Sequence, residues 1–262
     1  MDINLKGKRA LVCGSTQGIG KATALELAEL GAHVTLVARD ENKLKKVLDE
    51  LPLKDGQKHH YICADFDQPD YLKSAIDAYM IKEGDVHILI NNTGGPAGGK
   101  AVDAQLTEFT SAFNRHLICN QILTQAVVSS MKRSGYGRIV NVMSTSVKAP
   151  IQGLGVSNTI RGAVANWSKT LSMELGSFGI TVNNVLPGAT DTVRLRSIIN
   201  SKAQKTGQSE EEVEKAMKSE IPANRFAEAS ETAVAIAFLC SPAAGYINGI
   251  NLPVDGGRLG CL

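Results

Sequence analysis

The sequence predicts an α/β fold, a doubly wound and mostly parallel sheet of seven strands with helices packed on its faces. Two patterns carry this expectation. Short runs rich in Val, Ile and Leu alternate with helix-length segments along the chain, the rhythm of right-handed βαβ units. Several of those runs are almost continuously apolar, as expected of strands buried on both faces of a parallel sheet. Length and composition agree: 262 residues, 43% hydrophobic and 21% charged, with no repeat and no low-complexity linker. A chain of that size could hold one domain or two small ones; the strand-helix alternation, with no linker, favours one domain over residues 1–262.

The elements follow in order. Strands are expected at Arg9–Cys13, Val34–Val37, His60–Cys63, Val86–Ile90, Arg138–Val142, Thr181–Val185 and Ile250–Val254. Between the first two, Gly18–Leu30 reads as a helix because Ala24, Leu27 and Ala28 share one face, Glu26 and Glu29 lie on the polar side, and Gly31 ends it. Further helices are expected at Glu41–Glu50, Pro69–Ile81, Thr107–Arg133, Thr159–Phe178 and Glu231–Leu239. Residues 191–224 break the alternation with a Lys-, Arg-, Glu- and Ser-rich stretch, in which Ser209-Glu210-Glu211-Glu212 reads as an N-cap with its acidic first turn. A solvated helical excursion and a lid over a substrate both fit that stretch.

Charge and targeting narrow the function. The 28 Lys and Arg against 26 Asp and Glu give a net charge of +2 and no basic block, so nothing points to nucleic acid. The longest apolar run, Ala233–Cys240, is far short of the ~20 residues a membrane span needs, and the N-terminus has no continuous apolar segment. Five scattered cysteines without a C-x-x-C pair suit a reducing cytoplasm and small buried side chains, and no histidine cluster has the spacing of a metal site.

The turn Gly14-Ser15-Thr16-Gln17-Gly18-Ile19-Gly20 joins the first strand to the first helix. Glycines there allow a tight turn and close backbone approach, and the helix N-terminus offers N–H groups and a positive dipole end to phosphate. This is where a dinucleotide-binding turn belongs in a Rossmann-like sheet. An acid at the end of the second strand would select NAD; here Ala38 and then Arg39 stand in that place. A guanidinium suits the 2′-phosphate of NADP(H), although a plain surface arginine reads the same way in sequence. Lys21 adds positive charge beside the turn.

These motifs, taken together, resemble the short-chain dehydrogenase/reductases over about residues 5–257, and within them the 3-oxoacyl-acyl-carrier-protein reductases. Asn91-Asn92-Thr93-Gly94 is similar to the family's Asn-Asn-Ala-Gly element, and Gly137 to Ser144 to its fifth strand with the catalytic serine. Pro187-Gly188-Ala189-Thr190-Asp191-Thr192 resembles the turn that holds the nicotinamide end, and Val254-Asp255-Gly256-Gly257 the last strand. The resemblance implies cofactor contacts from Asp65 and the adjoining Phe66, from Asn92, Thr93 and Gly94, and from Pro187, Gly188, Thr190 and Thr192.

The resemblance also implies a tyrosine thirteen residues beyond Ser144 and a lysine four beyond that; those positions hold Ser157 and Arg161. An aliphatic hydroxyl is a far weaker acid than a phenol, whereas arginine keeps the positive charge that could hold a ribose but does not release a proton. The family's helical asparagine falls at His116, with Asn114 nearby. His116 reads either as a proton donor or as a packed histidine. Tyr136 and Tyr246 are spare phenols, neither placed as a replacement acid, and Lys148 is a further cation near Ser144.

Three functions stay open at this point. The first is an atypical NADP(H)-dependent oxidoreductase for a small carbonyl or alcohol, including a 3-oxoacyl-type ketone, using Ser144, Ser157, Arg161 and His116. The second is a catalytically silent NADP(H)-binding sensor or partner subunit, and the third a dehydratase-like chemistry. The preserved turn Pro187–Thr192 favours the first. The resemblance further implies a homo-oligomer, dimer or tetramer, formed through the two long helices.

Overall fold

In the strand Arg9–Cys13, successive side chains point to opposite faces, and Ala10 and Val12 enter one apolar cluster while Leu11 and Cys13 enter another. The computed structural model describes residues 1–54 and 56–261. Its strands are β1 (Arg9–Cys13), β2 (His33–Ala38), β3 (His60–Cys63), β4 (Ile88–Asn91), β5 (Gly137–Val142), β6 (Ile180–Pro187) and β7 (Asn251–Val254). They form one sheet in the order β3-β2-β1-β4-β5-β6-β7, every pair parallel.

The helices are α1 (Gly18–Glu29), α2 (Glu41–Glu50), α3 (Pro69–Glu83), α4 (Leu106–Phe113), α5 (Cys119–Ser134), α6 (Gly155–Leu175), α7 (Val193–Thr206), α8 (Glu210–Ser219) and α9 (Ala229–Cys240). Leu27 of α1, Leu44 of α2 and Ile236 of α9 cover one face of the sheet. Ile76 of α3, Leu123 and Met131 of α5 and Leu175 of α6 cover the other. Each such leucine or isoleucine contributes roughly 1.5–3 kcal/mol by leaving water. The polar excursion folds as α7 and α8, with Ser209 capping α8 in a reciprocal box with Glu212. It has its own apolar seam of Leu195, Ile199, Val213, Ile221 and Phe226.

Among the boundaries that differ from the sequence expectation, those of β4 and of the long helix after it have identifiable reasons. Val86 N–H and C=O both bond the Ser130 hydroxyl, at 3.1 and 3.0 Å, so β4 begins two residues later than its apolar run. The expected helix Thr107–Arg133 is interrupted at Asn114–Ile118 by a single π-helical turn. One extra residue rotates the following helix by about 100° relative to the preceding one, so α4 packs on α6 while α5 packs on α3 and the sheet.

A row of asparagines crosses the sheet interior. Asn91 on β4 donates to Asn141 on β5 (2.9 Å), Asn141 to Asn184 on β6 (2.9 Å), and Asn184 to Asn251 on β7 (2.8 Å). Each pair is directly in register.

Candidate active site

Because β1 sits beside β4 while β2 and β5 lie outside them, the chain leaves these two central strands in opposite directions and opens a crevice at their C-terminal ends. The glycine turn fills one side of that crevice. Gly14 has φ +58°, and a Cβ there would lie 2.5 Å from Asn92 O; a Cβ at Gly20 would lie 2.1 Å from Gly14 O. Asn92 Nδ2 donates to Cys13 O and Gly14 O, each at 3.3 Å, tying the β4 end to the turn. The first-turn N–H groups of α1 have no acceptor within the helix, and no side chain caps them. Bare backbone, an uncapped positive helix end and the absence of Cβ atoms are what a pyrophosphate requires. Thr192 closes this side, its Cγ2 3.2 Å from where a Gly18 Cβ would stand. Its hydroxyl also accepts from Leu195 N–H at 3.3 Å to start α7.

The neighbouring strand ends carry the residues expected around an adenosine. Ala38 and Cys63 are register partners, and Arg39 and Asp65 follow them at the same sheet end. Arg39 is exposed, and among the described residues no carboxylate pairs with it. Asp65 Oδ1 accepts from Asp67 N–H at 3.0 Å, and Phe66 packs against the core with its carbonyl accepting from Cys119 Sγ at 3.3 Å. Lys21, expected to add positive charge here, pairs its ammonium with Glu50 at 2.6 Å.

The other side of the crevice lies at the β5 end. Ser144 follows the strand, and its Oγ accepts from Ser146 N–H at 3.1 Å, which leaves its own proton to donate. Ser157 and Arg161, one turn apart on α6, are both 8% exposed. Arg161 Nη1 donates to Val142 O at 2.7 Å while Nε has no partner. Burial, then the charge of Arg194, lowers its pKa to about 10, so it stays cationic at neutral pH. His116 lies in the π turn, 4% exposed, with Thr93 Oγ1 3.3 Å from Nδ1 and no partner at Nε2. Desolvation, then Arg161 and Arg115, pushes its pKa down to about 3. Of the two sequence readings of His116, proton donor or packed histidine, the burial and the lowered pKa favour the packed, neutral ring. Tyr136 donates to Cys240 O at 2.5 Å, and Tyr246 is exposed.

Pro187 ends β6, and Gly188 N–H bonds Val254 O at 2.9 Å, seating the turn that leads to Thr190 and Thr192. A Cβ at Gly188 would meet Asp255 Cα at 2.7 Å. The structure therefore gathers Gly14, Gly18, Gly20, Asn92 and Thr192 at one side of the crevice, and Thr93, His116, Arg161 and Ser144 near the other. Sequence reasoning missed Arg194, whose Nη2 donates to Pro96 O at 2.8 Å. The signal was present in Arg194-Leu195-Arg196, the two cations that follow the Thr192 cap.

The residues from 14 to 258 match the family model described as enoyl-(acyl carrier protein) reductase. The chain belongs to the short-chain dehydrogenase/reductase family. Among these dehydrogenase/reductases, the NADPH-dependent reductase BacG of Bacillus subtilis is 28% identical over 96% of this chain and 98% of its own. The 3-oxoacyl-[acyl-carrier-protein] reductase FabG of Vibrio cholerae is 32% identical over 97% and 98%. The crystal structure of L-sorbose reductase from Gluconobacter frateurii, complexed with NADPH and L-sorbose, superposes with a TM-score of 0.93 at 28% identity, covering all of both chains.

Proposed function

We propose that this short-chain dehydrogenase/reductase is an NADPH-dependent oxidoreductase that interconverts a small carbonyl compound and its alcohol, with a 3-oxoacyl-type ketone among its candidate substrates. The observation that carries the proposal is the crevice itself, where the turn with glycines at 14, 18 and 20 and the uncapped α1 lie on one side of the switch point and the buried, cationic Arg161 on the other. When bound, NADPH supplies the hydride. Gly14, Ser15, Thr16, Gln17, Gly18, Ile19 and Gly20 would hold its pyrophosphate, and Arg39 its 2′-phosphate. Asp65 and Phe66 would hold the adenine, and Asn92, Thr93, Gly94, Pro187, Gly188, Thr190 and Thr192 the nicotinamide half.

Reduction of a carbonyl builds negative charge on oxygen, so the site must supply donors there. Ser144 donates its free hydroxyl proton, and Arg161 offsets the developing charge without giving up its own proton. His116, neutral and buried, holds Thr93 through Nδ1. The mechanism is atypical because Ser157 stands where the family resemblance implies a phenol, so the proton is drawn from solvent through Ser144. The same Ser157 favours a second reading, a protein that binds NADPH without turning over. Residues 191–224 act as the substrate lid of a single domain, and exposed Leu106, Phe113 and Met173 on α4 and α6 support a homo-oligomer. No helix among the described residues is long and apolar enough to cross a membrane.

Titration with NADPH, followed by an NADPH-oxidation assay over a panel of carbonyl compounds, tests both readings. The oxidoreductase reading requires binding and turnover that Ser144→Ala lowers. Binding without turnover across the panel selects the silent reading, and no binding removes both.

A further inference from the structure

Arg161 is a buried guanidinium without a counter-ion. Among the described residues no carboxylate reaches it; its contacts are the Val142 carbonyl and, at 3.9 Å, Met143 Sδ, and its Nε is unpartnered. A buried cation in that state is costly, and natural interiors pair or neutralise such charges. The structure instead brings a second cation to it. Arg194, reaching in from the start of α7, donates to Pro96 O on the loop after β4. The Nη2 atoms of both arginines approach a single point, lying 3.7 Å (Arg161) and 4.0 Å (Arg194) from where a Gly95 Cβ would be. The carboxylate nearest in sequence, Asp191, is already spent on Arg196, with contacts of 2.9 and 2.7 Å. Gly95, lacking a side chain, leaves the space between the two guanidinium groups open.

We infer that Arg161 and Arg194 together receive the carboxylate of the substrate, so that the carbonyl compound is an oxo acid, and its alcohol a hydroxy acid, in preference to a neutral ketone or ester. This rests on the oxidoreductase reading of the same crevice. Two guanidinium forks flanking one open point suit the two oxygens of a carboxylate, which can accept a charge-assisted hydrogen bond from each. The cofactor's pyrophosphate is the other anion available. Its cradle is the Gly14–Gly20 turn at β1, however, whereas Arg161 is fixed to the last residue of β5. Two strand spacings, about 10 Å, separate those strands. Ser144 follows the same β5 end, so an acid held between the arginines presents its carbonyl beside the serine hydroxyl.

The test measures binding by calorimetry to the full-length protein, alone and saturated with NADP+. The probes are 4-oxopentanoate and 2-oxo-4-phenylbutanoate, each against its methyl ester. At least one acid is expected to bind about tenfold or more tightly than its ester. Arg194→Gln, a change at an exposed position whose folding is checked by its Tm, is expected to remove that preference while leaving ester and NADP+ affinities within about twofold. Acids that bind no better than their esters overturn the inference. So does an Arg194→Gln variant that loses NADP+ affinity in place of acid affinity, because Arg194 then serves the pyrophosphate. If NADP+ fails to bind the parent protein while an acid still binds in an Arg194-dependent way, the anion site stands and the cofactor reading falls. If neither binds, both fall.

Discussion

Replacing Arg39 with alanine separates the two nicotinamide cofactors. The side chain is exposed and has no carboxylate partner among the described residues, so its loss breaks no ion pair and is expected to leave stability within about 0.5 kcal/mol. What the variant loses is a guanidinium facing a 2′-phosphate that only NADPH carries. Charge-assisted hydrogen bonds of that kind contribute about 1–3 kcal/mol, which is roughly five- to 150-fold in Kd. Exposure puts the value toward the lower half of that range at physiological salt, where the Debye length is about 8 Å, and toward the upper half in dilute buffer. Fluorescence titration of both cofactors against parent and variant, at two salt concentrations, reads this directly. NADPH affinity is expected to fall and its salt dependence to flatten, with NADH affinity nearly unchanged. An equal loss for both cofactors refutes the assignment of Arg39 to the 2′-phosphate.

Three further outcomes are expected. Gly20→Ala places a methyl 2.1 Å from the Gly14 carbonyl, a backbone contact that no rotamer relieves. It should therefore cost about 1–3 kcal/mol in thermal unfolding and abolish NADPH binding, and retention of the parental Kd would sink the cradle. His116 has a folded-state pKa of about 3 against an ordinary 6.5, so below pH 6.5 the unfolded chain takes up the proton first and the stability present above that pH is lost on acidification. The parent's margin over His116→Gln should thus narrow by about 1.6 kcal/mol in total between pH 6.5 and 5 in urea titrations, the slope rising toward about 1.4 kcal/mol per pH unit at the acid end; a margin that stays constant contradicts the buried neutral ring. Asn141→Ala strands the Asn91 amide and the Asn184 carbonyl in a fully buried position. At about 1–3 kcal/mol for each orphaned group it is expected to lower the urea midpoint sharply, and a change under about 1 kcal/mol would show that the row is dispensable.

The fold was legible because each strand is centred on its own apolar run, and helices such as Glu41–Glu50 owe their limits to their caps; Asp40 accepts from Lys43 N–H at 3.0 Å. Where the expectation slipped, a distant partner decided. Gly155 opens α6 four residues before the expected Thr159. A Cβ at 155 would meet Ala101 N at 2.3 Å, so a residue that weakens helices in sequence serves a loop contact in space. The π turn left no trace in sequence, since Asn-Arg-His-Leu-Ile contains neither proline nor glycine. Of the site, the glycine turn and Asn92 could be read because close backbone approach demands particular residue types. The charge states could not. Whether Lys21 is free, whether His116 titrates and whether Arg161 has company are settled by Glu50, by burial and by Arg194, none of which spacing along the chain reveals.

The asparagine row has a consequence for how the two halves of the sheet can change over time. Strands β1 to β3 are aligned by greasy, shape-tolerant contacts, in which one aliphatic group can replace another of similar volume. Strands β4 to β7 are pinned by discrete amide-to-amide contacts. A one-residue slip of any of these strands would turn its asparagine to the opposite face, so the four behave as teeth of one comb that engages completely or not at all. The nucleotide half can therefore drift residue by residue. The half that carries the reacting groups is locked in register, and sequence change there must fall on the loops beyond the strand ends, where Ser144 and Gly188 sit and the two arginines are aimed.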